Sequence, residues 1–155
     1  MRVSAKSDYA LRALVEIAAR SDSTDTPAAS AEEIGRLQDI PHGFLQAILA
    51  DLRRADILVS HRGKAGGWRL ARAATQVTVA DVIRAVDGPL VSVYGLRPEA
   101  VTYNDSAVPL QSVWIAARSS LREVFEGVSI QHLVDGELPA PIAARVEDDD
   151  AWRPH

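Results

Sequence analysis

No cysteine occurs among the 155 residues of this chain. Disulfides, thiolate redox chemistry and cysteine-held zinc or iron–sulfur centres are therefore excluded. The sequence also lacks any apolar run long enough to span a bilayer. Its opening stretch, MRVSAKSDYALRAL, has no apolar segment of signal-peptide length, and a cytoplasmic protein with no membrane contact is expected. Aromatic residues make up only 5% of the chain, so the core has to come from the aliphatic part of its 47% hydrophobic content. A glycine-rich phosphate loop, a cluster of metal ligands and a supported Ser/His/Asp arrangement are all missing, which argues against an enzyme. The four histidines, His42, His61, His132 and His155, are scattered.

Positive charge is scarce overall but concentrated locally. The formal net charge is −4, yet residues 53–72 hold six Lys and Arg against one acidic residue. A local basic patch is what a phosphate backbone responds to, whatever the total charge. The acidic remainder opposes indiscriminate binding.

The basic patch sits in the most informative stretch, IPHGFLQAILADLRRADILVSHRGKAGGW, residues 40–68. Leu45, Ile48, Leu49 and Leu52 recur at helical spacing, and Pro41 suits a first turn. Over residues 57–60 the period shortens to that of a strand. Glycines and two cations then form a tight turn before a second strand at about 68–71. A helix followed at once by a cationic two-stranded ribbon has the form of a winged helix-turn-helix.

Upstream, residues 7–20 read as a first helix with Leu11, Leu14, Val15 and Ala18 on one stripe. Ser30 and Glu33 form a capping-box pattern opening a second helix over 31–38, which would bury Ile34 and Leu37. The brief turn at 39–41 joins it to the third helix, as a helix-turn-helix requires. On that third helix His42, Gly43, Gln46, Ala47 and Ala50 face outward. Gln46 is best equipped to read a base edge, because its amide can pair bidentately with adenine. His42 could donate to a base or phosphate, and Gly43 would permit close backbone approach. Arg2 and Lys6 could reach a phosphate from the N-terminal arm or simply be solvated. Arg53 and its neighbour Arg54 could contact DNA or complement the helix dipole. In the wing, Arg62 suits a narrow minor groove and Lys64 a phosphate. Trp68 is expected to pack beneath the wing.

Downstream, Thr78 caps a helix over 79–86 that ends at Asp87-Gly88-Pro89. Residues 90–109 show no sustained period and read as a long loop, functional or mobile. The last long helix, 110–127, places Leu110, Trp114, Ala117, Leu121, Val124 and Val128 at alternating spacings of four and three. That is a heptad-like seam suited to a second copy of the chain. Ser129 caps a short helix over 130–134. The proline- and acid-rich tail beyond Gly136 is expected to be disordered.

The segments SAKSDYALRAL, IPHGFLQAILADLRRADIL, HRGKAGGWRLA and VTVADVIRAVDGPL, extended by residues 114–133, resemble the Rrf2 type of bacterial transcriptional regulators. The resemblance covers about residues 1–135. It implies a mainly α fold with a small β-wing, in which a winged helix-turn-helix carries a long dimerisation helix. It places Gln46 where a helix side chain reads bases and Arg62 where a wing arginine enters the minor groove. Cluster-binding members of the type hold three cysteines between the positions of Gly88 and Leu110, and an iron–sulfur member has glutamate at the position of Gln46. A member without cysteine is expected to work without a cluster or other cofactor. Its signal would be a small molecule or protein partner met through Tyr94, Arg97, Glu99 and Tyr103, or there would be none and the loop would be structural.

The organisation expected is a DNA-binding domain over 1–89, a connecting or sensor loop over 90–109, a dimerisation unit over 110–135 and a flexible acidic tail over 136–155. The function expected is a homodimeric regulator, a repressor, on a palindromic double-stranded operator. The competing reading is a winged-helix adaptor that binds protein instead of DNA.

Overall fold

Helix α1 (Ala5–Ser21) sits at the centre of the fold. Ala10, Ala13, Leu14, Ile17 and Ala18 recur at intervals of three and four and are all buried, so one wide face of the helix is apolar. That face packs against α2 (Ala31–Gln38), α3 (His42–Arg54), α4 (Val79–Asp87) and α6 (Ile130–Asp135), and against strand β2 (Gly67–Leu70). The small residues on α1 let these neighbours approach closely. The computed structural model describes residues 2–21, 28–63 and 66–154. No helix among them is long and apolar enough to cross a membrane.

The helix-turn-helix is closed by local chemistry. Asp39 ends α2 in the left-handed conformation, with φ of 51°, and the Ile40 amide returns to the Gly35 carbonyl at 2.9 Å. A Cβ at Gly35 would stand 3.2 Å from the Ile40 carbonyl oxygen, so glycine keeps this turn tight. Pro41 occupies the cap of α3 and not its first turn. Ser30 accepts from the Glu33 amide as expected, but the Glu33 carboxylate pairs with both terminal nitrogens of Arg20, at 2.8 and 2.9 Å. A bidentate guanidinium outcompetes the reciprocal cap bond, and α2 is thereby stapled to α1.

Strand β1 (Leu58–His61) pairs antiparallel with β2, Ser60 opposite Trp68. The wing is anchored at its inner edge, where the Trp68 amide donates to the Ala29 carbonyl at 2.9 Å. Trp68 is half-buried and packs on the main core, as its sequence context implied.

The main core gathers α1, α2, α3, the wing and α6. A second, smaller cluster joins Val79, Ala80 and Ile83 of α4 to Leu90, Val128 and Ile142. Thr78 and Ser129 each open a helix with a reciprocal capping box, and they face each other across a bridge. The Val79 amide donates to the Val128 carbonyl and the Ile130 amide to the Val77 carbonyl, at 2.9 and 2.8 Å. This double link fastens α5 (Pro109–Gly127) and α6 to the winged unit.

Three expectations are corrected here. Leu37 is 43% exposed and not buried, because α2 is short and Ile34 alone points straight inward. The tail is not irregular throughout: residues 140–146 form α7, and Ile142 is buried against the second cluster. The 90–109 stretch is pinned. Leu90, Pro98 and Val101 are buried, and Nε2 of the Gln111 side chain donates to the carbonyls of Pro98 and Val101 at 3.2 and 2.9 Å.

Candidate nucleic-acid interface and effector pocket

Four leucine and isoleucine side chains on the inner face of α3, Leu45, Ile48, Leu49 and Leu52, are fully buried. They fix the rotation of the helix, and so they dictate what it shows to solvent. His42, Gly43, Gln46 and Ala47 are exposed on the opposite face, and nothing lies within 4 Å of where a Gly43 Cβ would be. Arg53 at the end of the same helix, Arg62 at the foot of the wing and Arg2 before α1 are exposed too. None of these three arginines has an ion-pair partner among the described residues. An uncompensated cation beside a polar helix face is the arrangement a phosphate backbone needs. Lys64 lies outside the described residues.

Lys6 departs from the expectation. Its ammonium donates to the Asp51 carboxylate at 2.6 Å and to the Val86 carbonyl at 2.8 Å. It ties α1 to α3 and α4 and does not face outward as a phosphate ligand. Lys6 and then Arg54 hold the Asp51 carboxyl below the usual carboxylate range. Ser4 and Ser7 both donate to Asp87, so the start of α1 is locked onto the end of α4. This leaves Arg2 as the cation of the arm.

Phe44 was not singled out from sequence, where it reads as one more apolar helix residue. It is 55% exposed and meets Tyr9 edge-on at 6.1 Å, and the Arg12 guanidinium lies over the same Tyr9 ring at 5.5 Å from its centroid. This aromatic shelf flanks the outward face of α3.

The seam residues of α5 divide between two surroundings. Val128 is buried in the second cluster and Val124 packs on it, while Trp114 and Leu121 are half-buried. Leu110 and Ala117 are exposed, and so are Val113 and Ile115, which the heptad reading omitted. No residue of this 19-residue helix is fully buried, although a third of a soluble helix normally faces its core.

The loop residues also separate. Tyr94 is 92% exposed at a tight turn, with φ of 53°. Tyr103 accepts a hydrogen bond from the Trp114 indole at 2.9 Å. Glu99 pairs with Arg118, and a hydrogen bond from its own backbone amide, then that pair, hold its carboxyl below the usual range. Arg97 and Glu99 line a pocket of about 430 Å³ together with Arg84, Arg118 and Arg122. Arg118 and Arg122 are one turn apart on α5, whereas Arg84 comes from α4 and Arg97 from the connecting segment, and sequence spacing could not bring these three elements together. Arg122 and Arg84 hold the Glu126 carboxyl down at about 2.

Comparisons with known proteins agree with this architecture. The family profile named Rrf2, described as an iron-dependent transcriptional regulator, matches residues 3–136. The protein of Mycobacterium tuberculosis (strain H37Rv) named as HTH-type transcriptional regulator Rv1287 is 38% identical over 148 residues, 96% of this chain and 90% of its own length. The HTH-type transcriptional regulator CymR of Bacillus subtilis is 27% identical over 143 residues, 90% of this chain and 96% of that protein. The solved structure of CymR, the global cysteine regulator of B. subtilis, superposes with a TM-score of 0.72 at 24% identity, covering 88% of this chain and 98% of that one. IscR of T. potens superposes with a TM-score of 0.67 at 25% identity, covering 99% and 97%.

Iron itself does not fit these residues. Thiolates are absent from the whole chain, and no three His, Asp or Glu stand together as ligands among the described residues. Nδ1 of His132 already accepts from the Ser129 amide at 3.1 Å. The pocket beside the 90–109 loop presents guanidinium groups, which repel a cation. The family match over residues 3–136 and the relatives place the chain, with its winged helix-turn-helix, in the Rrf2 family of DNA-binding transcriptional regulators, which are not enzymes.

Proposed function

We propose that this regulator is a homodimeric repressor that binds a palindromic operator through α3 and the wing, in the cytoplasm, and that it works without an iron–sulfur cluster. The observation that carries this reading is the outward face of α3, where Gln46 is exposed, together with exposed Arg2, Arg53 and Arg62, which have no ion-pair partner among the described residues. Such a face supports base reading by one side chain and backbone positioning by the others. The dimer is supported by α5, whose Leu110 and Val113 are 43% and 53% exposed. A two-fold pair would place two α3 helices on successive major grooves. The winged unit over 1–89, the 90–109 segment and the 110–135 unit then act as reader, sensor and dimer element. An effector beside the 90–109 segment would bias two dimer arrangements by binding one of them more tightly.

The test is a shift assay with genomic fragments selected by the purified protein, repeated over a range of salt. Affinity should fall steeply and linearly on logarithmic axes as phosphate contacts release counterions. Absence of binding even at low salt would favour the adaptor reading.

A further inference from the structure

We propose that the pocket between α4, the 88–99 segment and α5 binds a small organic polyanion through carboxylate or phosphate groups. We propose further that this pocket is the regulator's effector site; this second step rests on the functional reading above, and the first does not. At about 430 Å³ the pocket falls in the size range of small-molecule sites. Its charged lining comprises Arg84, Arg97, Arg118 and Arg122 against a single carboxylate, Glu99.

The carboxylates nearby do not neutralise this lining. Glu99 engages Arg118, and Glu126 engages Arg84 and Arg122 together. Asp81 lies 4.0 Å from Arg84 and is shared with Arg72 and the Thr78 cap. These pairings orient three guanidinium forks and leave further N–H donors on each. Arg97 has no ion-pair partner among the described residues. Arg84–Glu126 and Arg118–Glu99 tie neighbouring elements together, yet four guanidinium groups around one concavity outnumber the carboxylates paired with them and leave like charges close. A compact anion relieves that repulsion, and the planar forks match carboxylate and phosphate oxygens. Leu90 and Pro89 give the pocket an apolar side, which suits an organic ligand over a bare inorganic ion. The ligand would hold α4 of the reading unit, the sensor segment and α5 of the dimer unit at once. A ligand so placed can distinguish between two relative placements of these elements.

The experiment is calorimetric titration of the full chain with citrate and, separately, with fructose 1,6-bisphosphate, at constant ionic strength in chloride. Saturable binding is expected for at least one; citrate alone identifies carboxylate recognition and the bisphosphate alone phosphate recognition. Arg97→Gln, which breaks no internal ion pair, should weaken binding about tenfold or more, as expected for loss of a charge-assisted hydrogen bond. Glu99→Gln should tighten it, because it removes the one lining carboxylate among the described residues. Arg62→Ala on the wing should leave it unchanged. No saturation with either anion, or equal affinity in wild type and Arg97→Gln, would overturn the site. Shift assays with and without the bound anion test the second step. A change in operator affinity that disappears in Arg97→Gln supports an effector role, whereas an unchanged affinity overturns that role and leaves the site standing. Failure of the protein to bind DNA at all would count against the functional reading and not against the pocket.

Discussion

Lys6 and Arg62 are both cations in the winged unit, and only their surroundings separate their roles. Lys6 bridges the Asp51 carboxylate and the Val86 carbonyl, whereas Arg62 is exposed and has no ion-pair partner among the described residues. Lys6→Met should therefore cost about 1–2 kcal/mol of stability, since a charged hydrogen bond is lost at a site that solvent partly screens. The Asp51 carboxyl is held down mainly by Lys6, so the contribution is present above the unfolded carboxylate value. It is lost as pH falls below about 4. Urea titrations should show a gap between wild type and variant at pH 7 that narrows near pH 3; an unchanged gap would mean the ion pair is not its source. Arg62→Ala should leave stability alone and weaken operators with A·T-rich flanks most. Gln46→Ala should relax preference at one base pair per half-site by about 1–3 kcal/mol. Equal losses for these two variants on every operator would show that neither side chain reads sequence.

At the scale of elements, caps and close approaches set where each segment begins and how it seats. The wing rests on residues 28–29, and a Cβ at Gly67 would stand 2.7 Å from the Ala29 carbonyl oxygen, with φ already at 154°. Gly67→Ala should lift β2 from this seat and destabilise the fold by about 1–3 kcal/mol. Hydrogen exchange at the Trp68 amide, which donates to Ala29, would report the change; unaltered protection would place the wing's anchor elsewhere. The capping serines and threonine were legible because an N-cap is local chemistry. Arg20 taking Glu33 away from its cap was not, since the two are distant in sequence and meet only when α1 packs on α2.

For the whole molecule, α5 and α7 decide how much apolar surface remains for a partner. A charge at Leu121 or Val124 would disturb packing within the chain as well as a dimer, because both are half-buried. Val113 is the cleaner probe. Val113→Glu should leave a folded monomer with weakened operator binding, measured by sedimentation and circular dichroism; a folded dimer would move the interface off this face. Removing residues 137–155 should uncover the second cluster, since Ile142 is buried there. Burial of one such side chain stabilises by about 1.5–3 kcal/mol, and denaturant titration would read the loss. A truncated chain as stable as the full one would mean that α7 contributes nothing to the core.

The sequence by itself determined the winged helix-turn-helix, the capped α4 and α6, and the exclusion of cysteine-held metal, because periodicity, caps and absent residue types act locally. It also set the outward face of α3, since four buried aliphatic residues fix the helix's rotation. The tertiary structure alone turned Lys6 inward, divided the α5 stripe between its own chain and solvent, and seated Ile142 of the tail. It alone gathered Arg84, Arg97, Arg118 and Arg122 around one pocket. These are contacts between elements far apart in sequence, and charge or hydrophobicity along a chain does not say which distant neighbour will satisfy it.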